Sequence, residues 1–154
     1  MKKSDSVVII PTYNEKENVE QIIRAVLTQE HPFHVLIIDD GSPDGTAAIV
    51  ERLMATEFAD ELHLIKRAGK LGLGTAYITG FRWAIEKGYD YIFEMDADFS
   101  HDPHDLPRLY RACADEGYDV AVGSRYVTGV NVVNWPMGRV LMSYYASKYV
   151  QFVT

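Results

Sequence analysis

The sequence predicts an α/β protein, a three-layer α/β/α sandwich built on a mostly parallel sheet. Short apolar runs rich in β-branched residues alternate along the chain with segments of helical periodicity. Most of these runs are apolar throughout, which is typical of strands buried on both faces of a parallel sheet. A repeated β-α order with right-handed crossovers gives the layered arrangement. The five expected strands are Val7–Ile10, Val35–Ile38, Leu62–Ile65, Tyr91–Met95 and Val120–Val122.

Helical stripes lie between these strands. Residues 19–27, 73–84 and 106–114 place apolar side chains three and four positions apart, as on the buried side of a helix. Gly88 and Gly117 stand where two of these helices should end. Side chains able to cap a helix mark the expected starts, and these are Asn14, Ser42 and Asp102.

The whole chain, residues 1–154, is expected to form a single domain, because 154 residues suit one hydrophobic core. The net charge of -7 argues against nucleic acid as a partner, which requires a basic surface. Cys113 is the only cysteine, so no internal disulfide can form and a cytoplasmic location is expected. No stretch reaches the roughly 20 apolar residues of a membrane-spanning helix.

A last predicted helix places Leu141, Tyr145, Tyr149 and Phe152 on one face. The sequence stops at Thr154 inside an apolar stretch, so we expect it to be part of a longer chain. Two interpretations of this helix stay open. It is either an interfacial helix on a membrane surface, or a core helix that packs on the sheet or on a further part of the longer chain.

Polar clusters follow four of the expected strands. In an open α/β sheet, ligands bind outside the carboxyl ends of the strands, so these clusters are expected to meet at one edge. The clusters are Pro11–Glu15, Asp39–Thr46, Glu94–His101 and Gly123–Tyr126.

Asp96 and Asp98 follow the fourth strand at the i, i+2 spacing that points two side chains the same way from an extended chain. Two carboxylates with room for further oxygen ligands suit Mg²⁺ or Mn²⁺ together with a diphosphate. The alternative is a capping turn that happens to contain two aspartates. An aspartyl-phosphatase is discounted, because its aspartates should follow the first strand.

The loops after the first two strands are expected to bind a nucleoside. Asp40 is the better candidate for hydrogen bonds from a ribose or a base edge, whereas Asp39 is more suited to orient the loop. Tyr13 can stack on a base and Glu15 can bond to a ribose or base. A partly buried loop aromatic is the alternative for Tyr13.

A glycine-rich segment, residues 69–77, opens a helix and can bring backbone N–H groups close to a phosphate. It matches neither a dinucleotide-binding fingerprint nor a P-loop. Arg67 and Lys70 are either diphosphate contacts or solvated surface charges. His101 lies next to the aspartate pair and is either a direct participant or a bystander.

Taken together, these motifs resemble those of family 2 glycosyltransferases, which have the GT-A fold. Within that family the chain is similar to the dolichyl-phosphate (polyprenyl-phosphate) mannose synthases. The motifs that carry the resemblance follow one another from about Val7 to Ser143, and they are PTYNE, DDGSPDGT, KLGLGTAY, MDADFSH and GSRY.

The resemblance implies a GDP-mannose donor, an Mg²⁺ or Mn²⁺ ion, a polyprenyl or dolichyl phosphate acceptor and a peripheral contact with the cytoplasmic face of a membrane. The residues that it assigns to guanosine are Pro11, Tyr13, Glu15, Ile38 and Asp40. Those assigned to the metal and diphosphate are Asp96, Ala97 and Asp98, with Ser100 near the metal. Those assigned to the donor phosphates and the acceptor phosphate are Arg125, Arg139 and Ser143.

The implied reaction is an inverting displacement in which an oxygen of the lipid phosphate attacks the sugar. That oxygen is already ionised, so the site needs a cationic clamp, for which Arg125 and Arg139 are the candidates. A hydroxyl acceptor would instead require a carboxylate base, and no Asp or Glu follows Asp119. The alternatives are a family 2 enzyme that uses a UDP-sugar and a non-catalytic nucleotide-sugar-binding module.

This chain departs from the family pattern at two places. Val130-Asn131 stands where a pair of glycines is frequent, which puts the shape of that loop in question. The family also continues into a C-terminal arm that closes over donor and acceptor, and this sequence does not contain it.

Overall fold

Four strands form one parallel sheet in the described part of the chain, residues 4–124 and 136–153 of the computed structural model. The strands are β1 (Ser6–Thr12), β2 (His34–Asp39), β3 (Leu62–Lys66) and β4 (Tyr91–Glu94). Their order across the sheet is β3-β2-β1-β4, and each neighbouring pair is parallel. The predicted parallel sheet is therefore confirmed.

Helices cover both faces of this sheet. The first four are α1 (Val19–Leu27), α2 (Thr46–Thr56), α3 (Leu73–Lys87) and α4 (Leu106–Ala114), and a 3₁₀ turn at Pro103–Asp105 precedes the fourth. Apolar side chains of α1, α2 and α4 pack against one face, and those of α3 pack against the other. The expected α/β/α sandwich is confirmed.

The sheet has an apolar core on each side. Val8 and Ile37 face the helices α1, α2 and α4, whereas Ile9 and Leu36 face α3. All four side chains have no exposed surface. Because side chains alternate between the faces of a strand, a strand covered on both faces must be apolar at successive positions. This is why the central strands appear in the sequence as unbroken apolar runs.

The fifth predicted strand, Val120–Val122, is wrong. Residues 120–124 form neither a strand nor a helix, and the side chains of Val120 and Val122 are 75% and 82% exposed. A short apolar run indicates a strand only where a neighbouring strand is available to share its hydrogen bonds. The structure shows no such pairing for this run with any described strand.

Two of the three expected helix caps are also wrong. The cap at Asp102 is confirmed, because its Oδ1 atom accepts a hydrogen bond of 3.0 Å from the backbone N–H of His104. Asn14 lies four residues before the N-cap of α1 in a left-handed conformation, with φ of 61°. Ser42 does not cap α2, where Asp44 instead accepts from the backbone N–H of the first helical residue. Asn14 and Ser42 serve the loops described below.

The chain divides into two compact units, Met1–Ala121 and Val122–Thr154, and the expected single domain stays a prediction. The second unit contains α5 (Met137–Val153), of which Arg139 and Gln151 are described by their backbone alone. The predicted apolar face is exposed, from 47% at Leu141 to 87% at Phe152. Among the described residues no helix is both long and apolar enough to cross a membrane.

His63 gives the first unit a pH-dependent stability. Its ring lies in β3 against Trp83 and near His34, at centroid distances of 4.9 and 5.8 Å. Burial lowers the pKa of His63, the positive charges of His34 and Lys87 lower it further, and Asp60 opposes them. Since the unfolded chain then binds the proton more tightly, stability is complete above the ordinary histidine pKa and falls as the pH drops below it.

We therefore expect the free energy of unfolding to decrease from about pH 7 towards pH 5, each tenfold loss of proton affinity costing about 1.4 kcal/mol. Urea unfolding of wild type and His63→Gln across this range measures the effect. The slope should be smaller in His63→Gln than in the wild type, because the substitution removes the titrating ring. Equal slopes in wild type and His63→Gln would contradict the assignment.

Candidate functional site

The carboxyl ends of the four parallel strands lie at one edge of the sheet. Four segments leave the sheet there, residues 13–18, 40–45, 67–72 and 95–102. The strand order places the segment after β1 between those after β2 and β4. These segments contain the polar motifs that sequence analysis singled out in the first unit.

The first two of these segments are joined by hydrogen bonds. Three successive backbone N–H groups after β1 donate to side chains of the segment that leads into α2, over distances of 3.0 to 3.1 Å. Loops held in this way keep their shape without a ligand, which reduces the entropy lost on binding. The bonds run from Asn14 to Ser42, from Glu15 to Thr46 and from Lys16 to Asp44.

Asp39 organises the loop after β2 from inside. Its side chain is buried and accepts four hydrogen bonds, two of them from backbone N–H groups of Gly41 and Ser42. The other two come from the hydroxyls of Thr12 and Ser42, at 3.1 and 2.6 Å. With its acceptor positions used in this way, Asp39 orients the loop, as its sequence position indicated.

Asp40 is held by a guanidinium group. Arg67 Nε donates to Asp40 Oδ1 at 2.6 Å, and Nη2 donates to Oδ2 at 2.7 Å. The two side chains are only 9% and 8% exposed. Arg67 is therefore not the solvated surface charge that the sequence suggested as one alternative. Its position shows instead that Asp40 keeps a fixed orientation at the sheet edge.

Tyr13 presents an aromatic ring next to Asp40's loop. The residue is 39% exposed, and the Lys70 ammonium lies 4.7 Å from the ring centroid, within the range of a cation–π contact. Lys70 belongs to the glycine-rich segment before α3, so this contact connects two of the four segments. The arrangement keeps an aromatic face and a cation together at the edge.

Three other residues assigned to guanosine differ in what they can offer a ligand. Ile38 is fully buried in the core that faces α3, so only its backbone can reach a ligand. Pro11 is half-buried and lies opposite Ile38 in the β1–β2 register. Glu15 is half-buried and accepts a hydrogen bond of 3.0 Å from the side-chain amide of Asn18.

Asp96 and Asp98 lie just beyond β4 and alternate with buried residues. Met95 and Ala97 are 1% and 4% exposed, whereas the Asp96 side chain is 43% exposed and Asp98 is exposed. The backbone N–H of Met95 still donates to the carbonyl of Ile9 in β1, at 3.1 Å, so the strand pairing continues to this point. The alternation therefore places both carboxylates outside the core, as the i, i+2 spacing predicted.

Neighbouring groups hold these two carboxylates. The Tyr77 hydroxyl donates to Asp96 Oδ1 over 3.4 Å, and burial, together with the Asp96 charge, raises the pKa of Tyr77. His101 Nδ1 accepts the backbone N–H of Asp96 at 3.3 Å, and its Nε2 lies 3.9 Å from Asp96 Oδ2. The hydroxyl and backbone N–H of Ser100 lower the pKa of Asp98, which keeps that side chain ionised.

The chemistry of these donors fits a hard divalent cation. Within residues 4–124 and 136–153, no three His, Cys, Asp or Glu side chains are grouped to hold a metal ion. Two carboxylates at an exposed edge instead match the usual Mg²⁺ arrangement, in which one or two protein carboxylates act with waters and substrate phosphates. Asp96 and Asp98 are the side chains able to play that part, with Ser100 next to them.

The remaining predicted residues belong to the second unit of the chain. Arg125 falls outside the described residues. Arg139 and Ser143 lie in α5. Ser143 is half-buried, and the structure describes only the backbone of Arg139. The phosphate clamp of Arg125 and Arg139 therefore stays a prediction.

Sequence analysis missed the roles of Arg67 and Tyr77. The sequence named Arg67 but not its pairing with Asp40, because that pairing depends on the parallel register in which Asp39 lies opposite Lys66. The sequence did not indicate a role for Tyr77 at the aspartate pair. Tyr77 lies in the first turns of α3, and only the packing of α3 on β1 brings its hydroxyl to Asp96.

A parallel α/β sandwich with a nucleoside-type loop after β1 and β2 and an Asp-x-Asp pair after β4 is the arrangement of a GT-A glycosyltransferase domain. The model of the family named Glycosyl transferase family 2 matches residues 7–152. The chain belongs to this family.

Two curated relatives indicate which members of the family this chain resembles. The polyprenol monophosphomannose synthase of Mycolicibacterium smegmatis is 47% identical over 148 residues, which are 96% of this chain and 55% of that protein. The undecaprenyl-phosphate mannosyltransferase of Micrococcus luteus is 44% identical over 141 residues, 92% of this chain and 56% of that protein. The chain thus spans little more than half the length of these relatives.

Solved structures agree on the fold. TarS 1-349 of S. aureus superposes with a TM-score of 0.56 at 23% identity, covering 72% of this chain and 32% of that one. At this identity the likeness concerns the fold alone, and it supports the GT-A architecture.

Proposed function

We propose that this chain is the donor-binding part of a metal-dependent enzyme that transfers mannose from GDP-mannose to a polyprenyl (dolichyl-type) phosphate. The observation that carries the proposal is the common edge shared by a nucleoside-type loop pair and the exposed Asp96 and Asp98 carboxylates. The polyprenol-phosphate mannose synthases among the relatives support the choice of sugar and acceptor.

The strand order fits a nucleoside diphosphate lying along this edge. Asp40 follows β2, Tyr13 follows β1 and Asp96 follows β4, which are consecutive positions in the sheet. Adjacent strands are about 4.8 Å apart, so the span from β2 to β4 is about 10 Å. That distance matches the separation between the base and the phosphates of an extended nucleotide. The base would stack on Tyr13 near Asp40 and Glu15, and the diphosphate would lie at the aspartate pair.

An Mg²⁺ or Mn²⁺ ion held by Asp96 and Asp98 would supply positive charge to the departing diphosphate. The protein's own part is to orient the two carboxylates. Ser100 holds Asp98 and lowers its pKa, whereas the Tyr77 hydroxyl donates a hydrogen bond to Asp96. The backbone at Ala97, whose side chain is buried, fixes the spacing of the pair.

The acceptor would be an ionised lipid phosphate, so the chain must hold one anion against another. We assign this clamp to Arg125 and Arg139, with Ser143 beside the acceptor phosphate, because arginine presents a planar set of donors to phosphate. The exposed apolar side chains of α5, among them Leu141 and Phe152, support a peripheral contact with a membrane surface, on its cytoplasmic face.

Calorimetric titration of the chain with GDP, GDP-mannose, UDP and UDP-glucose, with and without Mn²⁺, tests the donor half. We expect Mn²⁺-dependent binding that prefers GDP and GDP-mannose. A preference for UDP would contradict the proposed donor while retaining the family. No binding of any of the four would contradict the site itself.

Transfer of labelled mannose from GDP-mannose to polyprenyl phosphate in vesicles tests the acceptor half. Arg125→Ala and Arg139→Ala should each slow transfer about 100-fold, as expected when a charge-assisted phosphate contact is lost. Arg111→Ala, which removes an exposed cation from α4, is the control and should transfer at the wild-type rate. Wild-type rates in both clamp variants would overturn the assignment.

A further inference from the structure

The ion pair between Arg67 and Asp40 differs from the others in the described part of the chain. Both of its side chains are less than a tenth exposed, whereas the partners in eight other ion pairs of the first unit are at least 19% exposed. Two short parallel hydrogen bonds join a planar guanidinium to a planar carboxylate. This geometry fixes the plane of the carboxylate as well as its position.

The rest of the guanidinium faces the protein. Nη1 donates to the Thr75 hydroxyl at 2.8 Å, and Nη2 also donates to the carbonyl of Gly72 at 3.3 Å. The backbone N–H of Arg67 donates to the carbonyl of Asp39 at 2.8 Å. Arg67 thus joins the loop after β2 to the beginning of α3. With its donors directed to Asp40 and to α3, the guanidinium is poorly placed to bind a ligand directly.

Asp40 keeps acceptor capacity that Arg67 does not use. Each carboxylate oxygen can accept two hydrogen bonds, and the guanidinium supplies one to each. Asp40 follows β2 at the edge where the nucleoside would bind, and 9% of its side chain is exposed. A carboxylate with a fixed plane discriminates between donors by direction, which a freely rotating one cannot do.

We propose that Arg67 is a positioning residue that fixes the Asp40 carboxylate as an acceptor for the exocyclic amino group of the base or the ribose 2′-hydroxyl. The inference rests on the proposed function, because it explains how the proposed donor site selects its nucleoside. Arg67 acts through Asp40 and contributes to selectivity, not only to the stability of the loop. Its loss should therefore change the preference among related nucleotides.

The test is a double-mutant cycle on the binding of GDP with Mn²⁺, using Asp40→Asn, Arg67→Lys and the double variant. Arg67→Lys keeps the positive charge, so the buried Asp40 is not left unpaired, and thermal unfolding verifies that each variant folds. Each single variant should bind GDP about tenfold more weakly, and the double variant should be no weaker than Asp40→Asn. Lys66→Gln, which removes the exposed neighbouring cation, is the control and should bind as wild type does.

A second readout separates positioning from a merely structural role. The affinities for GDP, IDP and 2′-deoxy-GDP are compared in wild type and Arg67→Lys. IDP lacks the base's exocyclic amino donor, and 2′-deoxy-GDP lacks a ribose hydroxyl. One of the two wild-type preferences for GDP should shrink at least about threefold in Arg67→Lys, and which one shrinks identifies the donor that Asp40 accepts.

The outcomes separate this inference from the proposed function. Additive losses in the cycle, about 100-fold in the double variant, would overturn the inference. So would equal losses for all three nucleotides, or wild-type affinity in either single variant. Absence of GDP binding by the wild-type chain would instead overturn the proposed function on which the inference rests.

Discussion

Replacing Asp98 with Asn should weaken the binding of GDP in the presence of Mn²⁺ by about 100-fold, or about 2.7 kcal/mol. The amide has nearly the same shape and can still accept the backbone N–H of Ser100, a hydrogen bond of 2.9 Å in the wild type. The substitution removes the negative charge of the Asp98 side chain, which Ser100 keeps ionised by lowering its pKa. Calorimetric titration of GDP with and without Mn²⁺ measures the change.

The titration without Mn²⁺ distinguishes a loss at the metal-binding aspartates from a loss at the nucleoside-binding loops. Asp98→Asn should leave the weak binding of GDP without Mn²⁺ unchanged, because Tyr13 and Asp40 are untouched. Asp102→Asn is the matched control, since its side chain is 65% exposed, lies on the same segment and caps the 3₁₀ turn, which asparagine also does. Wild-type affinity with Mn²⁺ in Asp98→Asn would show that the aspartate pair is a turn and not a metal site.

The sheet could be predicted because its cause is local. An apolar run such as Val35–Ile38 is typical of a strand in a sheet that is covered on both faces. Four of the apolar runs correspond to β1, β2, β3 and β4. The fifth run, Val120–Val122, has the same composition over three residues but no described strand to pair with. Pairing depends on chain that is distant in sequence, so composition cannot decide it.

The helix starts failed for a related reason. Asn14 and Ser42 are good capping residues, but in the structure the Ser42 hydroxyl accepts the backbone N–H of Asn14 and donates to Asp39. A side chain that can satisfy either a helix or a loop is assigned by the tertiary structure. The Asp102 carboxylate bonds within its own turn, to the backbone N–H and the ring of His104, and the cap formed as predicted.

The candidate site was predictable in its position and less so in its contacts. The rule that ligands bind at the carboxyl ends of parallel strands located Asp40, Asp96 and Asp98 at one edge. The partner of Asp40 is 27 residues away in sequence, and only the β2–β3 register brings Arg67 to it. Motif spacing finds residues with chemistry, whereas the groups that orient them come from other elements.

Replacing Gly80 with Val should lower the free energy of unfolding by about 3 kcal/mol. Gly80 lies where α3 crosses β1, and a Cβ atom there would lie 2.7 Å from Ile9 Cγ2 and 2.8 Å from Cδ1. Ile9 has no exposed surface and lies in the core between α3 and the sheet, so it has no solvent to move into. The helix must therefore move away from the strand. Urea unfolding monitored by circular dichroism measures the loss.

Gly74→Val is the matched control, because Gly74 also lies in α3 but an added Cβ would have no atom within 4 Å. Valine has a higher helix propensity than glycine, so a loss of stability in Gly80→Val that is absent in Gly74→Val reports the contact with Ile9. Movement of α3 would also draw the Tyr77 hydroxyl away from Asp96, which it contacts at 3.4 Å. Mn²⁺-dependent GDP binding should therefore fall in Gly80→Val. Equal stabilities of the two variants would show that α3 packs more loosely on β1 than the contact distances require.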